Sequence, residues 1–215
     1  MRIKIENMSK EINGTPVLQE INAVFHSGNI YGLKGKNGSG RKMLMRCLCG
    51  LIRPTSGSII IHNKELRKGS DKPISIGAQI EGPSFLPNYT GFVNLKILAS
   101  IRSIINETMI KEAMRKVGLD PDDKRRYKNY TPEMQQKLGA ACVLMEEPDL
   151  IIMEEPMSAL DEEGASLVKD YLMNLKEKGS IIIVACRDKD ELKSLSDEIY
   201  EMKEGRIAGV IHCES

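Results

Sequence analysis

Apolar and charged residues alternate from Met1 to Glu6, the period-two pattern of a half-buried strand. Val17 to Phe25 and Asn29 to Leu33 read as two further strands, separated by a turn at Ser27-Gly28. The chain then changes character. Gly35-Lys36-Asn37-Gly38-Ser39-Gly40 is a glycine-dense loop, and Arg41 to Leu48, without Gly or Pro, predicts a helix stopped at Gly50. Ser58 to His62 and Ile74 to Ile80 read as strands on either side of a polar stretch. From Pro87 to Met145 the pattern is helical. Thr90 predicts an N-cap for Gly91 to Arg102, Asn106 one for Glu107 to Val117 with Gly118 as its stop, and a third run covers Met134 to Met145.

Leu150 to Met153 and Ile181 to Ala185 are continuous apolar runs, the mark of strands buried on both faces of a parallel sheet. Between them, Glu162 to Lys178 predicts an amphipathic helix with acids in its first turn, lysines in its last and Gly179 after it. Glu198 to Ile211 reads as a hairpin turned at Glu204-Gly205. Strands alternating with helices predict an α/β fold with a mostly parallel sheet. Residues 1–215 form one domain on this reading, with residues 87–145 as a helical insertion.

Composition narrows the function. Lys+Arg 31 against Asp+Glu 30 over 215 residues leaves a net charge of +1, which argues against nucleic-acid binding by bulk electrostatics. No run approaches the roughly 18 apolar residues of a membrane-spanning helix. The five cysteines, Cys47, Cys49, Cys142, Cys186 and Cys213, are odd in number and sit mostly among apolar residues. They read as free core thiols of a reducing cytosol rather than disulfides or metal ligands. His26, His62 and His212 lack ligand spacing.

The glycine-dense loop lies between a predicted strand and a predicted helix, where backbone N–H groups converge on an anion. Arg41 and Lys42 fall in the first turn of that helix. Cations there oppose the helix dipole by about 0.3–1 kcal/mol each. The arrangement points to a bound anion; the alternative is a pair of solvated basic residues.

With the strand Leu150 to Met153 ending in Glu154-Glu155-Pro156, and Ser158-Ala159-Leu160-Asp161 after it, the whole chain resembles the ATP-binding subunits of ABC transporters. The segment Ile80 to Gly91 (IEGPSFLPNYTG) resembles the peptide-antibiotic (lantibiotic and bacitracin) export and immunity branch. The resemblance implies a P-loop NTPase sandwich with an antiparallel β portion near the N-terminus and an inserted helical subdomain. It implies ATP as ligand and a homodimer or a heterodimer with another ABC subunit. It also implies a transmembrane permease partner, holding a cytoplasmic chain at the inner face of the membrane. By the same resemblance, Gly35, Lys36, Asn37, Gly38, Ser39, Gly40, Arg41, Lys42 and Met43 hold the phosphates. Ile12 takes the place of an adenine-stacking aromatic, Glu155 is the candidate general base, and Glu154 the candidate metal-side acid. Glu81 and Arg187 stand where the family has a glutamine and a switch histidine.

Several positions depart from the family pattern. Arg41 stands for the loop lysine, Lys42 for the Mg²⁺-binding hydroxyl, and Glu133 for a glycine of the signature segment, here Tyr130-Thr131-Pro132-Glu133-Met134. An ammonium cannot coordinate a cation, and a permanently charged Arg187 cannot titrate as a histidine does. A Glu133 carboxylate 4 Å from a partner's triphosphate would cost on the order of 1–4 kcal/mol. These changes predict impaired hydrolysis and put the use of Mg²⁺ in doubt. Two readings of Lys42 stay open: with Arg41 and Arg187 it supplies the charge of the missing metal, or it pairs with Glu154 and Glu81 and closes the site. Phe85, Leu86, Tyr89 and Phe92 are read either as a surface for the membrane partner or as an ordinary core.

Overall fold

The computed structural model describes residues 1–66 and 74–213. The alternation at the N-terminus runs further than Glu6: β1 spans Arg2–Ile12 and pairs antiparallel with β2, Thr15–His26. Register shifts along the pair accompany Asn7 and Glu20, both at positive φ. β3 is Asn29–Lys34, and α1, Arg41–Leu48, follows the glycine loop. β4, Ser56–Ile61, pairs with β1, and a two-residue β5, Lys64–Glu65, pairs with β4. These four strands make an antiparallel sheet in the order β2-β1-β4-β5.

β6, Ile76–Gln79, is followed by α2 (Gly91–Arg102), α3 (Glu107–Lys116), a 3-10 turn at Tyr127–Asn129 and α4 (Pro132–Leu144). The chain then enters β7, Leu150–Glu154, which lies beside β6 in parallel. The whole helical stretch is thus a connection between two neighbouring strands. Each of α2, α3 and α4 starts where a side-chain oxygen can take an orphan amide. Thr90 accepts from the Val93 N–H, Asn106 from Met109 and Thr131 from Met134.

α5, Glu162–Glu177, begins at Asp161, whose carboxylate accepts the Gly164 N–H at 2.8 Å. β8 (Ile181–Ala185), α6 (Lys189–Leu195), β9 (Glu198–Lys203) and β10 (Arg206–His212) complete the described elements. The second sheet has the order β10-β9-β3-β8-β7-β6, all parallel except β10.

The apolar runs of β7 and β8 divide their side chains by period two. Ile151, Met153, Ile182 and Val184 face the helices α2 to α5. Leu150, Ile152, Ile181, Ile183 and Ala185 face α1 and the antiparallel sheet. Burying both faces leaves the ends of these strands as the places where polar groups can gather. The ends of β3, β7 and β8 do so around the start of α1.

Candidate functional site

The loop from Gly35 to Gly40 has backbone demands that only glycine meets cheaply. Gly40 sits at φ 97°, and a Cβ there would lie 2.9 Å from Leu18 Cδ2 and 3.0 Å from the Val17 carbonyl oxygen. A Cβ on Gly35 would lie 2.6 Å from the Met202 carbonyl oxygen. The loop is held by its own turn, with Ser39 N–H donating to Lys36 O at 3.1 Å, and by Gly205 N–H donating to Ser39 O at 3.0 Å.

At the end of this loop α1 begins with no side-chain cap and no acid in its first turn. Its amides and partial positive charge are therefore left for an anion. Ser39 is buried, and its Oγ has no hydrogen-bond partner. Beside the loop opens a cavity of about 400 Å³, into which Lys36, Arg41, Lys42, Arg46 and Arg187 all contribute, with no carboxylate among its lining residues. A second cavity, of about 510 Å³, lies against β9 and β10 and is of mixed sign, with Lys34, Lys203, Glu201 and Glu204. The chemistry of the first suits a polyphosphate.

The five cations are held differently. Arg41 is 6% exposed, and its Nη1 donates to the Cys186 carbonyl oxygen at 2.7 Å, tying α1 to the end of β8. Lys42 Nζ lies 3.4 Å from Glu154 Oε2 and 3.9 Å from Glu81 Oε1. One turn on, Arg46 Nη2 donates to Glu81 Oε1 at 2.8 Å. Glu81, at φ 77°, also donates its backbone N–H to Glu154 Oε2 at 3.1 Å. The ends of α1, β6 and β7 thus meet in one network of two cations and two carboxylates. An ammonium 3.4 Å from Glu154 repels a cation, so two carboxylates already paired with Lys42 and Arg46 are a poor donor set for Mg²⁺ as they stand.

Glu155, at φ 49°, anchors its N–H on the Ala185 carbonyl oxygen at 2.7 Å. Its Oε1 is buried without a hydrogen bond and lies 3.7 Å from Arg187 Nε. Burial pushes the Glu155 carboxyl above its ordinary range; Arg41, and more weakly Arg187, pull it back.

Met43 is buried among the apolar residues between the two sheets while also bordering the cavity. Ile12 ends β1 opposite Thr15 and is 43% exposed; Val17, not Ile12, lines the cavity from the β1–β2 hairpin. Glu133 lies in the first turn of α4 with its carboxylate 2.5 Å from Lys137 Nζ. That partner offsets part of the repulsion expected of the bare carboxylate. Sequence reasoning missed Arg46 and Val17. For Arg46 a signal existed, since Lys42 and Arg46 are four apart and share a helix face.

Residues 18–158 match the ABC transporter family. An uncharacterised ABC transporter ATP-binding protein of Bacillus subtilis (strain 168) is 40% identical over 205 residues, covering 95% of this chain and 94% of that protein. The bacitracin transport ATP-binding protein of Enterococcus faecalis is 33% identical, covering 95% of this chain and 67% of that one. The lantibiotic transport ATP-binding protein of Streptococcus pyogenes is 32% identical, covering 95% and 88%. Among solved structures, an ATP-binding cassette determined as a dimer bound to ADP and Pi superposes with a TM-score of 0.88. It is 18% identical and covers 99% of both chains, a likeness of fold. With the loop, its anion-ready helix and the family match in agreement, the chain belongs to the ABC transporter family as an ATP-binding subunit.

Proposed function

We propose that this chain is the nucleotide-binding subunit of a peptide-antibiotic export or resistance transporter, one that holds ATP without requiring Mg²⁺ and turns it over slowly. The observation that carries this reading is the placement of Lys42, 3.4 Å from Glu154 where the family resemblance puts a metal-binding hydroxyl. ATP supplies the binding energy that draws two ABC subunits together in this family. This chain's part is to cradle the phosphates with the amides of 35–43 and to neutralise them with Lys36, Lys42, Arg46 and Arg187.

Phosphoryl transfer depends almost wholly on positioning and charge stabilisation. Glu155, the residue we assign to orient a water, faces the Arg187 guanidinium 3.7 Å away. Homodimer or heterodimer, each composite site would draw on either this loop or this signature segment, so both depart from the standard arrangement. The relatives' names favour the antibiotic-transport branch, and α2 to α4 are the elements we assign to the permease contact.

The commitment of Arg41 to a backbone carbonyl favours a second reading, a scaffold that regulates its partners without nucleotide. One experiment separates them. ATP is titrated into the purified chain in EDTA and again in Mg²⁺, with steady-state turnover measured alongside. Equal binding in the two buffers, with turnover several orders of magnitude below an intact site, is the expected result. No binding in either supports the scaffold, and strictly Mg²⁺-dependent binding with ordinary turnover defeats both.

A further inference from the structure

We infer that the site reads polyphosphate and not base, so that nucleoside triphosphates of any base and inorganic tripolyphosphate are equivalent ligands; this rests on the nucleotide-binding reading above. The chain has six tyrosines and three phenylalanines and no tryptophan, and all nine rings lie within the described residues. None of them lines the basic cavity.

Each ring lies elsewhere. Phe25, Tyr31 and Tyr200 pack on one another between the two sheets, with Phe25 and Tyr31 centroids 4.9 Å apart. Phe85, Tyr127 and Tyr130 pack together among the helices. Tyr171 is buried with its hydroxyl donating to the Leu144 carbonyl oxygen at 3.1 Å. Phe92 lies under Lys111 in α3, and Tyr89 is in the turn before α2.

What the β1–β2 hairpin offers the cavity instead is Val17, an aliphatic side chain without a face on which a base can stack. The uncharged polar side chains in the lining are Asn37 and Ser39, both within the loop that serves the phosphates. Base–aromatic stacking is worth roughly 5- to 150-fold in affinity, and this chain has no ring in place to supply it. The phosphate side is better supplied: an uncapped helix start, a buried Ser39 hydroxyl without a partner, and the cations Lys36, Lys42, Arg46 and Arg187, the last three of which also pair with Glu81, Glu154 or Glu155. The recognition is built for charge and shape, and the base contributes little.

The test uses the purified full chain and three probes, ATP, GTP and inorganic tripolyphosphate, titrated calorimetrically in the same EDTA buffer. The expected result is that ATP binds within about fivefold of GTP and no more than about fivefold tighter than tripolyphosphate. ATP binding tighter than either by a larger factor overturns the inference and leaves the nucleotide-binding reading intact. Failure of ATP itself to bind overturns both.

Discussion

Lys42 Nζ and Glu154 Oε2 are 3.4 Å apart, joining the first turn of α1 to the end of β7. Lys42 is 53% exposed on its side chain, so this pair contributes little to stability, under about 1 kcal/mol. Its consequence is chemical. Replacing the ammonium by a hydroxyl, Lys42→Ser, removes the repulsion toward a cation and leaves Glu154 free to face one. The ratio of ATP affinity in Mg²⁺ to that in EDTA is expected to rise from near one to roughly tenfold or more. The melting temperature should fall by no more than about 4 °C. An unchanged ratio would show that Lys42 does not set the metal dependence.

How much of this was legible beforehand depends on what fixes each feature. The strands β3, β7 and β8 and the helices α1 to α5 follow from apolar runs, caps and glycine stops, all local. The helix α6 was missed because Lys189–Leu195 is short and polar, with Leu192 and Leu195 its buried residues. Its sign was Asp188, whose carboxylate accepts the N–H groups of Asp190 and Glu191. β1 was read too short, since positive φ at Asn7 breaks the alternation where the strand continues. In the site, the loop and its basic neighbours were plain in the sequence, and so was the pairing of Lys42 with Glu154 and Glu81 as one of two readings. The direction of Arg41 was not. A guanidinium reaching Cys186, 145 residues away, is set by how α1 packs on the end of β8, a tertiary fact with no local pattern.

Glu155 predicts a pH dependence. Burial raises its folded-state value above the unfolded one, so the folded state holds the proton more tightly. Stability then falls as pH rises through the window above the ordinary carboxylate range, because ionising Glu155 is easier in the unfolded chain. Glu155→Gln removes the ionisation. Thermal melts of the two proteins are expected to diverge as pH rises from 4 to 8, with the variant the more stable at the upper end. Parallel curves would mean that Glu155 ionises normally.

The cysteines predict selective labelling. Cys47, Cys49 and Cys186 are buried, and burial pushes the Cys47 and Cys142 thiols up to about 11. Alkylation needs the thiolate. Brief iodoacetamide treatment of the native chain at pH 8, read by peptide mass spectrometry, should mark Cys213 ahead of the other four. Unfolding in denaturant should bring all five to similar rates. Early labelling of Cys47 would contradict the packing of α1 against the antiparallel sheet.

Arg41 should behave as a structural member more than as a phosphate ligand. Its Nη1 bond to the Cys186 carbonyl oxygen is 2.7 Å long at a side chain only 6% exposed. Arg41→Met strands that carbonyl and costs about 1.5–3 kcal/mol, a fall in melting temperature of roughly 3–12 °C for a chain of this size. The loss should exceed that of Lys42→Ser, although the two residues are adjacent and equally charged, since one is buried and bonded while the other is half exposed. Removing Arg41 also removes the strongest influence lowering the Glu155 carboxyl. The stabilisation that Glu155→Gln gives at pH 8 should accordingly be larger in the Arg41→Met background than alone, a coupling a double-mutant cycle of melts can read. Additive effects would separate Arg41 from Glu155, and an Arg41→Met chain as stable as the parent would mean the bond to Cys186 is not made.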